Sequence, residues 1–158
     1  MLKLKMIVGL VVLGSVLNVG VQAKEAPAAK AATKKSIYER IGGDAAINAA
    51  VDMFYVKVLA DKSVNHFFED VNMSKQHKKQ KEFIAAALGG PKPWTGKDMR
   101  KAHKNLDLKE SDFAAIAGHL QSTLQELKVD EALIGEVMAV VGSTKDDVLG
   151  TKKKKKNK

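Results

Sequence analysis

Between residues 36 and 150 apolar side chains recur with the period of a helix, and no stretch alternates apolar and polar positions as a half-buried strand does. "SIYERIGGD" predicts a short helix stopped by Gly42 and Gly43, with Asp44 placed to cap the next one. Beyond it Ile47, Val51, Phe54, Tyr55, Val58 and Leu59 fall on one apolar face at i, i+4, i+7, i+8 spacing. "KSVNHFFEDVN" makes a tight corner around Phe67 and Phe68, and a helix is expected from about Ser74 to Leu88. "GGPKPWTG" breaks the chain, and Asp98 is placed to cap the short turn that carries His103. Two longer helices follow. One spans 110–127, with Phe113, Ile116, Ala117, Leu120, Leu124 and Leu127 on one face; the other spans about 130–142, with Leu133, Ile134, Val137, Met138 and Val141. No internal repeat is present, and the pattern describes a small all-α domain of about 115 residues.

Three places depart from a plain helical core. The connection from Gly89 to Lys97 holds three glycines and two prolines, and a structureless loop of that kind in a helical domain is usually functional or disordered. It leads straight to His103. At roughly 100° per residue, Met99 and Leu106 lie within about 60° of His103 while Arg100 and Lys104 lie on its other flank. The histidine therefore sits on a seam between an apolar and a basic stripe. On the 74–88 helix Met73, Gln76, Gln80, Phe83 and Ala87 fall within about 80° of one another, with Ile84 and Leu88 widening the stripe. A lone glutamine at such an edge is solvated, but two amides one turn apart and facing inward must find partners. Tyr55 raises the same issue, because the hydroxyl of a buried tyrosine needs a hydrogen bond. Three polar tips on two inward faces predict a pocket that holds something polar.

Charge alters the picture mainly at the ends. The chain has 158 residues, a net charge of +9 and no cysteine, so disulfides, thiolate metal sites and cysteine nucleophiles are excluded. From Ser36 to Gly150, 15 Lys and Arg face 17 Asp and Glu, a balance of −2. The other 12 basic residues lie in the first 35 positions and the last 8, against the single acid Glu25. A nearly neutral fold with few aromatics does not look like a nucleic-acid binder. Residues 1–23 have the shape of an export signal: basic "MLKLK", the apolar run "MIVGLVVLGSVLNVGV", and small residues at "VQA". The expected location is therefore the periplasm or the exterior. The alternative is an uncleaved membrane anchor, although the run has 16 residues and is diluted by Gly9, Gly14 and Asn18. Residues 24–35 read as a flexible linker and 151–158 as a disordered basic tail, a solubilising or weakly anion-binding end.

The chain offers no histidine pair at i, i+4, no acidic loop of EF-hand spacing and no phosphate loop in strand-to-helix context. What remains is a single histidine facing an apolar cleft, opposed by aromatics and neutral donors. That is the protein half of a haem site.

"FYVKVLAD", "FFEDVNMSKQHKKQKEFIAAALGGPKPWTG", "MRKAH" and "AGHL", in this order and spacing, resemble a truncated haemoglobin of group 1. The resemblance covers about Ser36 to Leu149. It implies a two-over-two helical sandwich binding haem b, with the proximal helix reduced to a loop and one turn. By position, His103 matches the proximal iron ligand and Phe68 the phenylalanine that packs on the haem. Tyr55, Gln76 and Gln80 match the cluster that hydrogen-bonds a bound ligand. Phe83 and Met99 join the cofactor-binding set, Phe83 and Ile84 fall where the family lines an apolar tunnel, and Lys79 and Arg100 are placed for the haem propionates. One family pattern carries a larger aromatic at the position of Ile84, so a gating role is not carried over to it. Of the other histidines, His119 reads as structural and His66 as a surface corner residue. His77, next to Gln76, is the one that a small rotation would bring toward the iron.

The resemblance implies reversible binding of O2 and other diatomic ligands, NO and CO among them. It adds oxidation of nitric oxide to nitrate, which needs an external reductase. Two other readings stand beside it: an exported haem-based redox or ligand sensor without turnover, and a haem-free helical module that binds anionic surfaces. Membrane contact is expected only through an uncleaved signal or the basic tail.

Overall fold

A computed structural model describes residues 34–151. The expected export signal, the linker up to residue 33 and the basic tail from residue 152 lie outside the described residues. Helix α1, Ile37–Ile41, opens on Ser36, whose hydroxyl accepts the Glu39 amide at 3.2 Å while the Glu39 carboxylate accepts the Ser36 amide at 2.8 Å. This reciprocal capping satisfies two amides that a helix start leaves open. Gly42 then takes a φ of 111°, ending α1 and serving as N-cap of α2, Gly43–Ala60. Asp44 therefore does not cap α2 as its position suggests. The left-handed glycine lets two helices share one junction residue, and Asp44 falls inside the first turn, where a negative charge still favours the helix dipole.

A 3-10 turn at Asn65–Phe68 makes the phenylalanine corner. It leads to α3, Met73–Ala87, capped by Asn72, whose side chain accepts the Lys75 amide at 3.0 Å. Helix α4, Met99–His103, is a little over one turn, capped as expected by Asp98, which accepts the Lys101 amide at 2.8 Å. Helices α5, Glu110–Glu126, and α6, Glu131–Ser143, follow. A short turn α7, Lys145–Val148, was not signalled by periodicity, being too brief to show one.

Helix α2 packs on α3 and on α5, and α5 packs on α6, giving two layers of two. One core cluster joins Ile47, Val51, Phe54, Tyr55, Val58 and Val64; a second joins Ala50, Leu88, Leu124, Ile134 and Val137. Ile84 and Leu120 touch both, and beside them lies an apolar cavity of about 40 Å³. Leu59 is 40% exposed. It was expected on the buried face, but at about 120° from Ile47 it lies over the shoulder of the stripe.

Two polar ties hold the layers in register. Arg40 on α1 grips Glu136 on α6 through two 2.7 Å hydrogen bonds. His119 on α5 reaches Asp61, just after α2, at 2.7 Å, in keeping with the structural reading of that histidine. Asp61 also accepts from the backbone amide and hydroxyl of Ser63, at 2.9 and 2.7 Å. The Ser63 hydroxyl first, and then His119, pull the Asp61 carboxyl down to about 2 from an ordinary 3.8. A carboxylate depressed in the folded state contributes stability above its unfolded pKa and loses that contribution as pH falls through the folded one. Asp61→Asn is therefore expected to lower the melting temperature near neutral pH, with the difference from wild type closing between about pH 4 and pH 2. Thermal unfolding followed across that range checks it; a deficit that stays constant to the acid end would contradict it.

Candidate functional site

Helices α2 and α3 bring the expected polar tips together. Tyr55 is buried, at 2% exposed, and its hydroxyl accepts a 3.0 Å hydrogen bond from Gln76 Nε2. Burial pushes the phenol pKa up, and the Gln76 bond partly offsets the rise. The phenol keeps its proton at neutral pH, and because Gln76 supplies a hydrogen to the oxygen, the phenol's own hydrogen remains available to a further acceptor. Gln80 lies one turn along α3. It is half-buried, and its amide makes no hydrogen bond among the described residues. Phe68 stands edge-on to Tyr55 with ring centroids 5.8 Å apart.

Helix α4 brings up a different kind of group. His103 is half-buried and its Nδ1 lies 2.7 Å from the Met99 carbonyl oxygen. A carbonyl can only accept, so Nδ1 carries the hydrogen and Nε2 is left with a free lone pair. Its neighbour Arg100 donates from Nη2 to Asp147 at 3.0 Å and to the Asp146 carbonyl at 3.4 Å, tying α4 to α7, while its Nε is buried without a partner. Lys79 on α3 is exposed and makes no ion pair among the described residues.

Some large apolar side chains stay outside the two core clusters. Helices α3 and α5 both pack on α2. Phe83, Met99 and Phe113 are half-exposed and belong to neither core cluster. Phe83 meets the Trp94 ring edge-on at 5.6 Å, and Trp94 is anchored by its indole donating to the Lys97 carbonyl at 3.0 Å. Trp94 also lines the large cavity under the 91–95 loop, and periodicity cannot find it because it sits in that loop. The signal that was available is its identity, a lone tryptophan among glycines and prolines.

The tunnel pair divides. Ile84 packs against the core and lines the small apolar cavity, whereas Phe83 faces Trp94. A far larger cavity, about 910 Å³, lies on the opposite face of α3, along Ser74, Lys78, Lys81 and Glu82 under the 91–95 loop. Gln76, Gln80 and His103 take no part in it. His77 is turned to that flank, stacked on Tyr55 and bonded to Asp52. His66 is exposed and packs on Phe67, in keeping with a corner residue.

A family model described as bacterial-like globin matches residues 36–150. The chain is 46% identical over 115 residues to a group 1 truncated haemoglobin of Tetrahymena thermophila, covering 73% of this chain and 95% of that one. It is also 46% identical over 120 residues to a group 1 truncated haemoglobin of Synechocystis, covering 72% and 97%. The crystal structure of the Fe(III) truncated haemoglobin from Tetrahymena pyriformis matches with a TM-score of 0.71 at 45% identity, over 73% of this chain and 98% of that one. A 2/2 haemoglobin from a Synechococcus species, solved in the cyanomet state with covalently attached haem, matches with a TM-score of 0.70 at 47% identity, over 73% and 99%.

Proposed function

The chain belongs to the bacterial-like globins as a group 1 truncated haemoglobin, and we propose that it binds haem b through His103 and holds O2 and other diatomic gases against Tyr55, Gln76 and Gln80. The observation that carries this reading is the state of His103. Its Nδ1 hydrogen is fixed on the Met99 carbonyl, the arrangement that orients a metal-binding imidazole and raises the basicity of the other nitrogen.

The residues present fit the group. No three His, Cys, Asp or Glu side chains converge among the described residues, so a metal at His103 must bring its other ligands with it, as haem iron does. Phe68, Phe83, Met99 and Phe113 offer the apolar surface a porphyrin needs, and none of the last three is claimed by the core. Of the two cations placed for the propionates, Arg100 already holds Asp147 through Nη2 and has a buried, unpartnered Nε, while Lys79 is exposed and without an ion pair among the described residues. When bound, haem would supply an iron able to take a diatomic gas. Tyr55 and Gln80 would offer it their hydrogens as donors, while Gln76 holds the Tyr55 oxygen. The small cavity beside Ile84 is lined wholly by apolar side chains, a lining that suits a small uncharged gas.

The visible spectrum of the purified protein tests the reading. One haem per chain, with bands that move on adding O2 or CO to the reduced protein, is expected; a chain that takes up no haem would leave the haem-free helical module. Turnover of nitric oxide to nitrate, with an external reductase restoring the ferrous form, belongs to the same proposal. Rapid mixing of the oxygenated protein with nitric oxide separates it from a sensor without turnover. Residues 1–23 are proposed as a cleaved export signal, giving a mature chain that begins near Lys24 outside the cytoplasm. Mass spectrometry of native material is the check, and an intact Met1 would speak for an anchor instead.

A further inference from the structure

The side chain that faces the ring of Tyr55 from outside the site has no part in the reading above. Helix α3 grips Tyr55 with two consecutive residues: Gln76 meets its hydroxyl at 3.0 Å, and His77 lies on its ring with centroids 4.5 Å apart and planes 16° from parallel. The other two ring contacts, from Phe54 at 5.1 Å and Phe68 at 5.8 Å, are both edge-on. His77 is thus the flat surface against which the Tyr55 ring rests.

We propose that His77 is a positioning residue for Tyr55, held in place by Asp52, and that it sets the direction in which the phenol hydrogen points. The proposal rests on the reading of Tyr55 as a hydrogen-bond donor to the bound gas. In a phenol the hydroxyl hydrogen prefers the plane of the ring, because the oxygen lone pair conjugates with it. The tilt of the ring therefore decides where the hydrogen lies. Edge contacts stop the ring from sliding but leave it room to tilt; a second ring stacked on its face removes that freedom.

For this to work His77 must itself be held, since its side chain is 29% exposed. Asp52, one turn before Tyr55 on α2, does so. Its carboxylate takes His77 Nδ1 at 3.1 Å and Lys81 Nζ at 2.9 Å. His77 and Lys81 are one turn apart on α3, so one carboxylate on α2 clamps both to its own helix. Lys81 first, and His77 after it, hold the Asp52 carboxyl below its ordinary pKa, which keeps the clamp charged at neutral pH. The same bonds explain why His77 is not a reserve iron ligand: to turn toward the Gln80 and Phe83 face it would have to leave both Asp52 and the Tyr55 ring.

The test compares His77→Ala, His77→Phe and Asp52→Asn, each alone and with Tyr55→Phe, in the haem-loaded protein. It reads the O2 dissociation rate, the CO dissociation rate, the C–O stretching frequency of the CO form, and thermal stability. His77→Ala is expected to speed O2 release by about threefold, near the effect of weakening one hydrogen bond, and to raise the C–O frequency while CO release changes little. His77→Phe keeps a flat ring and should restore most of both; Asp52→Asn should fall between. In the Tyr55→Phe background His77→Ala should add nothing, since the group it positions has lost its hydrogen. The inference is overturned if His77→Ala leaves O2 release and the C–O frequency unchanged while Tyr55→Phe moves them. It is equally overturned if the His77→Ala effect persists undiminished beside Tyr55→Phe. If Tyr55→Phe itself moves neither quantity, the reading of Tyr55 as a donor fails and the positioning role goes with it.

Discussion

His103→Ala is expected to yield a folded protein that no longer retains haem through washing or gel filtration. The side chain is half-buried and its one hydrogen bond stays within its own turn, so its removal costs the core little. What goes is the imidazole proposed to hold iron. His119 is held by Asp61 at 2.7 Å, His77 by Asp52 and the Tyr55 ring, and His66 is exposed at the corner on Phe67. Losing a group that merely orients a metal ligand typically costs about 10- to 100-fold in affinity, so losing the ligand itself should cost more than roughly 100-fold. Haem titration followed by absorbance gives the number. Added imidazole should restore part of the spectrum, which separates a missing ligand from a damaged fold. Full retention, with unchanged ferrous and ferric spectra, would remove His103 from the site.

The helices were legible because their apolar faces are long. Six positions of α2 fall on one stripe, and only Leu59, at the edge of that stripe, came out exposed. Helix α3 was expected one residue late at each end, since periodicity does not see the Asn72 cap or the Leu88 terminus. The inward direction of Tyr55 and Gln76 follows from the same periodicity, and the bond between them follows from that direction. What could not be read is whatever depends on two elements meeting. Asp61 and His119 are 58 positions apart, and neither looks unusual in its own segment. Arg100 reads as a cation beside His103; its tie to Asp147 exists only because α7 returns to α4. His77 is the sharpest case. Sequence places it beside Gln76 and so near the site, whereas the Asp52 carboxylate, supplied by another helix, holds it against the outer face of Tyr55.

Tyr55→Phe is expected to speed O2 dissociation by roughly three- to tenfold or more, since a neutral hydrogen bond is worth about 0.5–1.5 kcal/mol and about 1.4 kcal/mol is a tenfold change. The substitution keeps the ring, and with it the contacts to Phe54, Phe68 and His77, so packing is preserved and the donor alone is lost. It also strips Gln76 of its acceptor. That amide is half-buried and free to swing toward the ligand, which makes the single substitution an underestimate of what the phenol contributes. Gln80 has no such tie, so adding Gln80→Leu should speed release further. The two effects should not simply multiply, because groups that share one acceptor are coupled. CO carries less charge on its outer atom, and its dissociation should change far less in both variants. That contrast separates a lost hydrogen bond from a loosened pocket, which would release both gases faster. O2 leaving both variants at the wild-type rate would leave Tyr55 an ordinary buried core residue and Gln80 an ordinary polar residue at the core's edge.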